Sequence, residues 1–368
     1  MIIKMPANLK ESNAVGHDRH MGLEYLRVLA AYMVVINHAW FMERSATLPD
    51  IFMTALVYSV VLVAVPLFVL LSGAFLITNE KNISALSFWK HSFIKLFPLS
   101  FCFFVLAFFW ETSMWEHFLA GKMDLSQLGW AIISWYGGGA AAPLWYLCML
   151  PGLYFMLPFL ARLWQKTSKQ CFFILGLLAY CVYAVAEVYE IKLPHPFSAV
   201  FWLGLFMLGA SILKSGILTN KYVRIALCFV YVACLVVCIC HLNVKFSENT
   251  AIYDEIGQNY LPFNLILAPC LFAFFAAWKP VRRAWVLWLS RLSLLIYLTH
   301  VPCQRVIRAI LYHSGLHEQL HEGWVNTLLF ALASCIFATV AAWVIDKVYG
   351  RLVAKRWFSR KSATEAGK

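Results

Sequence analysis

Eight uncharged stretches decide what this chain can fold into: residues 51–79, 96–110, 125–161, 170–186, 193–213, 225–244, 256–278 and 323–345. Most reach or approach the roughly 20 residues that a helix needs to cross a bilayer. The stretch at 125–161 is too long for one crossing. "GGGAAAP" (137–143) breaks it, which leaves a re-entrant or surface piece before the break and a helix from about Leu144 after it. A further helix covers "EYLRVLAAYMVVINHAWF" (24–41), and a long one starts near Ala284. Together these give about ten spans. Composition agrees, because 62% of the 368 residues are apolar and only 13% are charged, whereas a soluble domain holds about 45–50% apolar residues. The expected fold is an all-α polytopic integral membrane protein of about ten transmembrane helices.

The charges between the runs set the orientation. With the N-terminal tail in the cytoplasm, the segments on that side carry 21 Lys and Arg, seven of them from Lys347 onward. The opposite loops hold Arg44, Lys122, Lys192 and Lys245, or six cations if Arg305 and Arg308 are counted there. This is the positive-inside bias, so both termini are expected in the cytoplasm. The net charge of +12 then reflects topology and contact with anionic membrane lipid. Nucleic acid is not an expected partner, because no basic–aromatic recognition module is visible. One transmembrane domain, 21–350, fills the chain between a cytoplasmic tail (1–20) and a basic cytoplasmic tail (351–368). No signal peptide is expected before the first span, which is expected to act as its own insertion signal. The eleven cysteines lie in or beside apolar runs, and a disulfide framework is not expected. "CICH" (238–241) lacks the spacing of a haem or zinc motif.

Ionisable residues inside such helices are where function is expected. Each costs roughly 2.5–3.5 kcal/mol at mid-membrane on insertion scales, so they usually line a cavity or pathway. Arg27 and His38 lie eleven residues apart. At 100° per residue both project from one face, about 16 Å apart along the axis. Glu24 precedes Arg27 by one turn and can pair with it. An interfacial pair that snorkels to the headgroups is the plainer reading of Glu24 and Arg27. A second polar face occurs in "SRLSLLIYLTH" (290–300), where Ser293, Tyr297 and His300 follow i, i+4, i+7 spacing. Such a face can equally join two spans by hydrogen bonds. Two intramembrane histidines far apart in sequence nevertheless favour a common polar cavity. "KHSFIKLFP" (90–98) opens another run with Lys90, His91 and Lys95, a cationic mouth suited to phosphates or simply a positive-inside cluster.

In order along the chain, these pieces resemble the membrane-bound acyltransferase-3 family of integral-membrane O-acyltransferases. "LEYLRVLAAYMVVINH" (23–38) is similar to its opening pattern, an acidic residue three before an arginine, then ten residues, then histidine. "VPLFVLLSGAFL" (65–76) resembles its second span, "PLWYLCMLPGLYFMLPFL" (143–160) its fourth, and "SLLIYLTH" (293–300) its ninth. The resemblance covers nearly the whole chain. One departure is that the family's R-x-x-R pair at the start of the third span reads Ser92 and Lys95 here. An appended hydrolase-like domain, which some members carry, is not expected here, so direct transfer to an acceptor or to a separate partner is expected.

The resemblance implies a bacterial cytoplasmic membrane and an acyl-CoA co-substrate, most often acetyl-CoA, with no resident cofactor and no metal. It also implies a carbohydrate acceptor: a lipid-linked glycan, a surface polysaccharide or peptidoglycan. Residue chemistry agrees. Acyl transfer to a hydroxyl needs a base and positive charge near the developing oxyanion. His38 is the natural base, Arg27 the donor anchor or oxyanion partner, Glu24 its holder, and His300 an assistant. A covalent acyl-histidine remains open as a route. Lys90, His91, Lys95, Ser293 and Tyr297 are the expected substrate-binding residues.

Two rival readings stand beside this one. A transporter or flippase would also use a polar central pathway. "HEQLH" (317–321) matches the zinc-peptidase pattern H-E-x-x-H, with His313 one turn earlier as a possible third ligand; its short loop setting favours chance.

Overall fold

The backbone of a membrane span must satisfy its own polar groups, and a helix does so within one segment. Accordingly, the secondary structure is entirely helical among the described residues of the computed structural model. These are 20–40, 47–90, 145–189, 197–248, 256–316 and 323–365, with single positions or short pieces at 92, 101–103, 105, 120–121, 126, 129, 191 and 193. Within them, only the backbone is described at 186–188, 248, 256–262, 264–265 and 349–365. The main helices are α1 (Met21–Ala39), α2 (Leu48–Val61), α3 (Ala64–Leu76), α4 (Trp145–Lys166) and α5 (Lys169–Val188). They continue with α6 (Ala199–Lys214), α7 (Lys221–Glu248), α8 (Ile256–Ala277), α9 (Ala284–His313) and α10 (Gly323–Glu365). The helix expected from about Leu144 begins at Trp145, and the long one expected near Ala284 begins there.

Among the described residues, five helical segments are long and apolar enough to cross a membrane: Leu48–Leu76, Trp145–Lys166, Lys221–Ser247, Ala284–His313 and Gly323–Val348. Three shorter apolar helices accompany them: Lys169–Val185, Ala199–Lys214 and Ile266–Ala277. The expectation of ten spans also counts the run at 96–110; most of that run, like the re-entrant or surface piece expected before the GGGAAAP break, lies outside the described residues. α1 is absent from both groups. It carries Glu24, Arg27, Asn37 and His38, and its position explains why it can. It packs against α2, α3, α8, α9 and α10, so protein rather than lipid surrounds most of it, and ten of its residues are buried.

Local chemistry sets how the neighbours meet it. The run 51–79 is one apolar stretch in sequence but two helices in space, broken between Val61 and Ala64. Pro66 has no N–H to give the carbonyl of Leu62 and crowds that turn, so the helix kinks there. α3 then lies directly against α6. A Cβ added at Gly73 would fall 1.7 Å from the Phe206 carbonyl oxygen, and one at Gly209 would fall 2.0 Å from that of Leu70. Backbones approach this closely only where both helices present small residues.

Polar ties fix the ends. Tyr32 of α1 hydrogen-bonds Thr339 of α10 at 2.9 Å. The Trp40 indole donates to Thr54 at 3.1 Å, and the Tyr58 hydroxyl donates to the Trp40 carbonyl at 3.1 Å. Asp50 caps α2 through Thr47 and accepts the Trp324 backbone N–H at 2.8 Å, which joins the starts of α2 and α10.

Candidate active site

α1 and α9 run side by side and bring two polar faces together. On α9, Ser290, Ser293, Tyr297, His300 and Gln304 recur at intervals of three and four, so they form one stripe, and all five are buried. On α1 the matching stripe is Glu24, Arg27 and His38.

Near the start of α1, Arg27 pairs with Glu24 at 3.1 Å across one helical turn. The Glu24 side chain is 4% exposed and that of Arg27 18%. The interfacial snorkelling reading is therefore set aside: the carboxylate is enclosed, and a residue from another helix completes the pair. Ser290 donates to Glu24 and also accepts from Arg27 at 3.3 Å. The Arg27 guanidinium further lies 5.2 Å from the centre of the Phe75 ring of α3, a cation–π contact. A carboxylate, a guanidinium and a hydroxyl thus close a triangle across two helices.

Near the end of α1, the His38 and His300 rings lie 5.1 Å apart, centre to centre, at 37°. His300 is wholly buried, while His38 is half-buried. The Nδ1 of His300 hydrogen-bonds the Tyr297 carbonyl. A carbonyl can only accept, so Nδ1 carries the proton, and Nε2 of the neutral ring presents its lone pair. That Nε2 is buried and has no hydrogen-bond partner among the described residues. The second nitrogen of a histidine fixed in this way is available for proton transfer.

Two further groups hold the pair in register. Gln304, one turn beyond His300, donates from its amide to the Val35 carbonyl at 3.0 Å, one turn before His38. Tyr297 contacts Tyr146 of α4 with ring centres 6.0 Å apart, and Tyr146 bonds Ser72 of α3.

The structure places the sequence-derived candidates as follows. Glu24, Arg27, His38 and His300 come together along the α1–α9 contact. Tyr297 joins them through its carbonyl and its ring, and Ser293 is buried on the same stripe. Lys90 is helical and exposed. His91 and Lys95 lie outside the described residues, as does the HEQLH segment, while His313 is exposed at the end of α9. All eleven cysteines are free. Among the described residues, no three His, Cys, Asp or Glu side chains gather as a metal set.

Ser290, Gln304, Asn37 and Phe75 were missed from sequence. Ser290 and Gln304 extend the Ser293–Tyr297–His300 spacing by one turn each way, a signal that was readable. Asn37 adjoins His38 and keeps a buried side-chain oxygen without a partner among the described residues. Phe75 carried no signal at all.

The model of a family described as an acyltransferase domain, acyltransferase type 3, matches residues 21–347. The match takes in every residue of the α1–α9 site. No curated protein and no solved structure gives a match.

Proposed function

Since the chain belongs to the acyltransferase-3 family, we propose that it is a membrane O-acyltransferase. It moves an acyl group, acetyl first among candidates, from cytoplasmic acyl-CoA to a hydroxyl of a cell-envelope carbohydrate. The observation that carries this reading is the pairing of His38 with His300, whose buried Nε2 is left open, on the same helix contact as the Glu24–Arg27–Ser290 cluster.

In the proposed reaction, His38 takes the proton of the acceptor hydroxyl as its oxygen attacks the thioester carbonyl carbon. Charge develops on the carbonyl oxygen, and the carbon–sulfur bond then breaks. The proton passes to the departing thiolate, giving the ester and free CoA. His300 is fixed through Nδ1 and lies ring to ring with His38, its open Nε2 available to take up and return a proton beside it. Arg27 is always charged and anchors a phosphate of the donor or meets the developing negative charge, with Glu24 and Ser290 holding its geometry. Enclosure by α3, α4 and α9 keeps bulk water from competing with the acceptor. Lys90, His91 and Lys95 would gather the donor's phosphates at the membrane surface, and Ser293 would orient substrate beside Tyr297. The setting is a bacterial cytoplasmic membrane, with the acceptor a lipid-linked glycan, a surface polysaccharide or peptidoglycan.

The test supplies acetyl-CoA labelled in its acetyl group to the protein in nanodiscs, together with a glycolipid extract of its own host. CoA release that matches label entering glycan is the expected result. Binding of glycolipid with no CoA release would support a transporter instead.

A further inference from the structure

Away from the histidines, between α7 and α8, lies a groove of about 780 Å³. Trp278 forms part of its wall and also packs against Tyr25 of α1, with ring centres 5.1 Å apart and the rings tilted by 52°. The groove therefore sits at the end of the bundle that holds Glu24 and Arg27. Its mouth and its floor differ in chemistry. Lys221 and Arg224, one turn apart at the start of α7, supply the mouth, and Phe229, Val232 and Phe274 line the length beyond. From Lys221 to Val232 the helix rises about 16 Å, the reach of much of a lipid acyl chain.

Three observations narrow the occupant. First, both cations are exposed, and neither has a carboxylate partner among the described residues, where the one ion pair is Glu24–Arg27. Second, the walls are open to the outside: Phe229 is 72% exposed, Val232 56% and Phe274 51%. On a membrane-spanning helix such a surface meets acyl chains at no cost. Third, beyond the mouth the lining side chains are all apolar, apart from thiols and Tyr231. The amides of a CoA arm would lose their hydrogen bonds to water there without replacement, at a cost of a kcal/mol or more each. A diacyl tail would not.

We propose that this groove is a binding site for an anionic glycerophospholipid. Lys221 and Arg224 hold its phosphate, and one acyl chain lies along Phe229, Val232 and Phe274. Trp278 is the wall shared between the lipid and the helix that carries Glu24 and Arg27. The assignment is independent of the acyl-transfer chemistry.

The full chain in detergent is titrated with phosphatidylglycerol or phosphatidylcholine brominated near the headgroup end of the acyl chains. Tryptophan quenching is recorded for the wild type and for Trp278→Phe, and the difference isolates Trp278. Phosphatidylglycerol should quench Trp278 at about thirtyfold lower concentration than phosphatidylcholine, roughly fivefold for each cation near the surface. Lys221→Gln combined with Arg224→Gln should erase that preference while leaving the melting temperature in place. Equal quenching by the two lipids in the wild type overturns the proposal, and so does a preference that survives the double substitution. Relief of the quenching by inorganic phosphate or by acetyl-CoA also overturns it, because the cations would then serve a free phosphate or the CoA donor. The lipid comparison and the competition do not depend on the charge variant being folded; they need only the wild type and Trp278→Phe.

Discussion

At the residue scale, Ser290 has the smallest polar group in the cluster and touches both of its charges. Replacing it by alanine leaves the Glu24–Arg27 pair but removes its tie to α9. Ser290→Ala should therefore destabilise by about 1 kcal/mol, the usual net worth of one hydrogen bond, and slow acyl transfer without stopping it. Glu24→Ala is expected to be far worse, about 3–5 kcal/mol, because it strands a half-buried guanidinium without its carboxylate. The melting temperatures of the purified variants order the two effects, and a milder Glu24→Ala would contradict the pairing. Arg27→Lys should fail to rescue, since a point-charge ammonium cannot meet Glu24, Ser290 and the Phe75 ring together. Glu24 and Arg27 were legible as a pair because three-residue spacing on a helix decides it locally. Ser290 joins them only through the rotation of α9 against α1, which is a tertiary fact.

At the element scale, the α3–α6 contact depends on two glycines for which any side chain is too large. Gly73→Leu or Gly209→Leu should prevent close approach and yield protein that aggregates on extraction, read by size-exclusion chromatography. Normal monodisperse behaviour would show that the helices can part without loss. The Asp50 tie is a milder device. Asp50→Ala loses the α2 cap and the acceptor for the Trp324 N–H. It should cost about 1–2 kcal/mol, typical of a lost N-cap, while acyl transfer per folded molecule stays near wild type. The helices themselves were legible because apolar runs are a one-dimensional signal, whereas the expected GGGAAAP break lies outside the described residues. The break at 62–63 was overlooked inside a continuous apolar run, although Pro66 marked it. α1 shows the opposite limit: its hydropathy understates a helix that protein, not lipid, surrounds.

At the scale of the whole molecule, the charge pattern predicts that the two ends of the bundle face opposite sides of the membrane. A cysteine introduced at Ser215, in a background cleared of native cysteines, should react with an impermeant thiol reagent only after cells are opened. One at Ser314 should react in intact cells. Labelling of both from the same side would overturn the assigned topology. Chain topology also makes the site: His38 and His300 stand 262 positions apart and meet because α1 and α9 pack together. The sequence allowed a shared cavity to be inferred from two intramembrane histidines, but not that the rings touch or which His300 nitrogen is open. Those depend on the Tyr297 carbonyl and on the Gln304 tie to Val35. The central claim is that the two histidines act as one unit, and units of this kind show strongly non-additive losses. The most direct test is the acyl-transfer rate from acetyl-CoA in nanodiscs for wild type, His38→Ala, His300→Ala and the double variant, each shown to be folded. The account predicts a loss of about 10²–10⁴-fold for His38→Ala, the usual scale for a general base, a smaller loss for His300→Ala, and a double variant no slower than His38→Ala alone. Losses that multiply in the double variant, or a fully active His38→Ala, would contradict it.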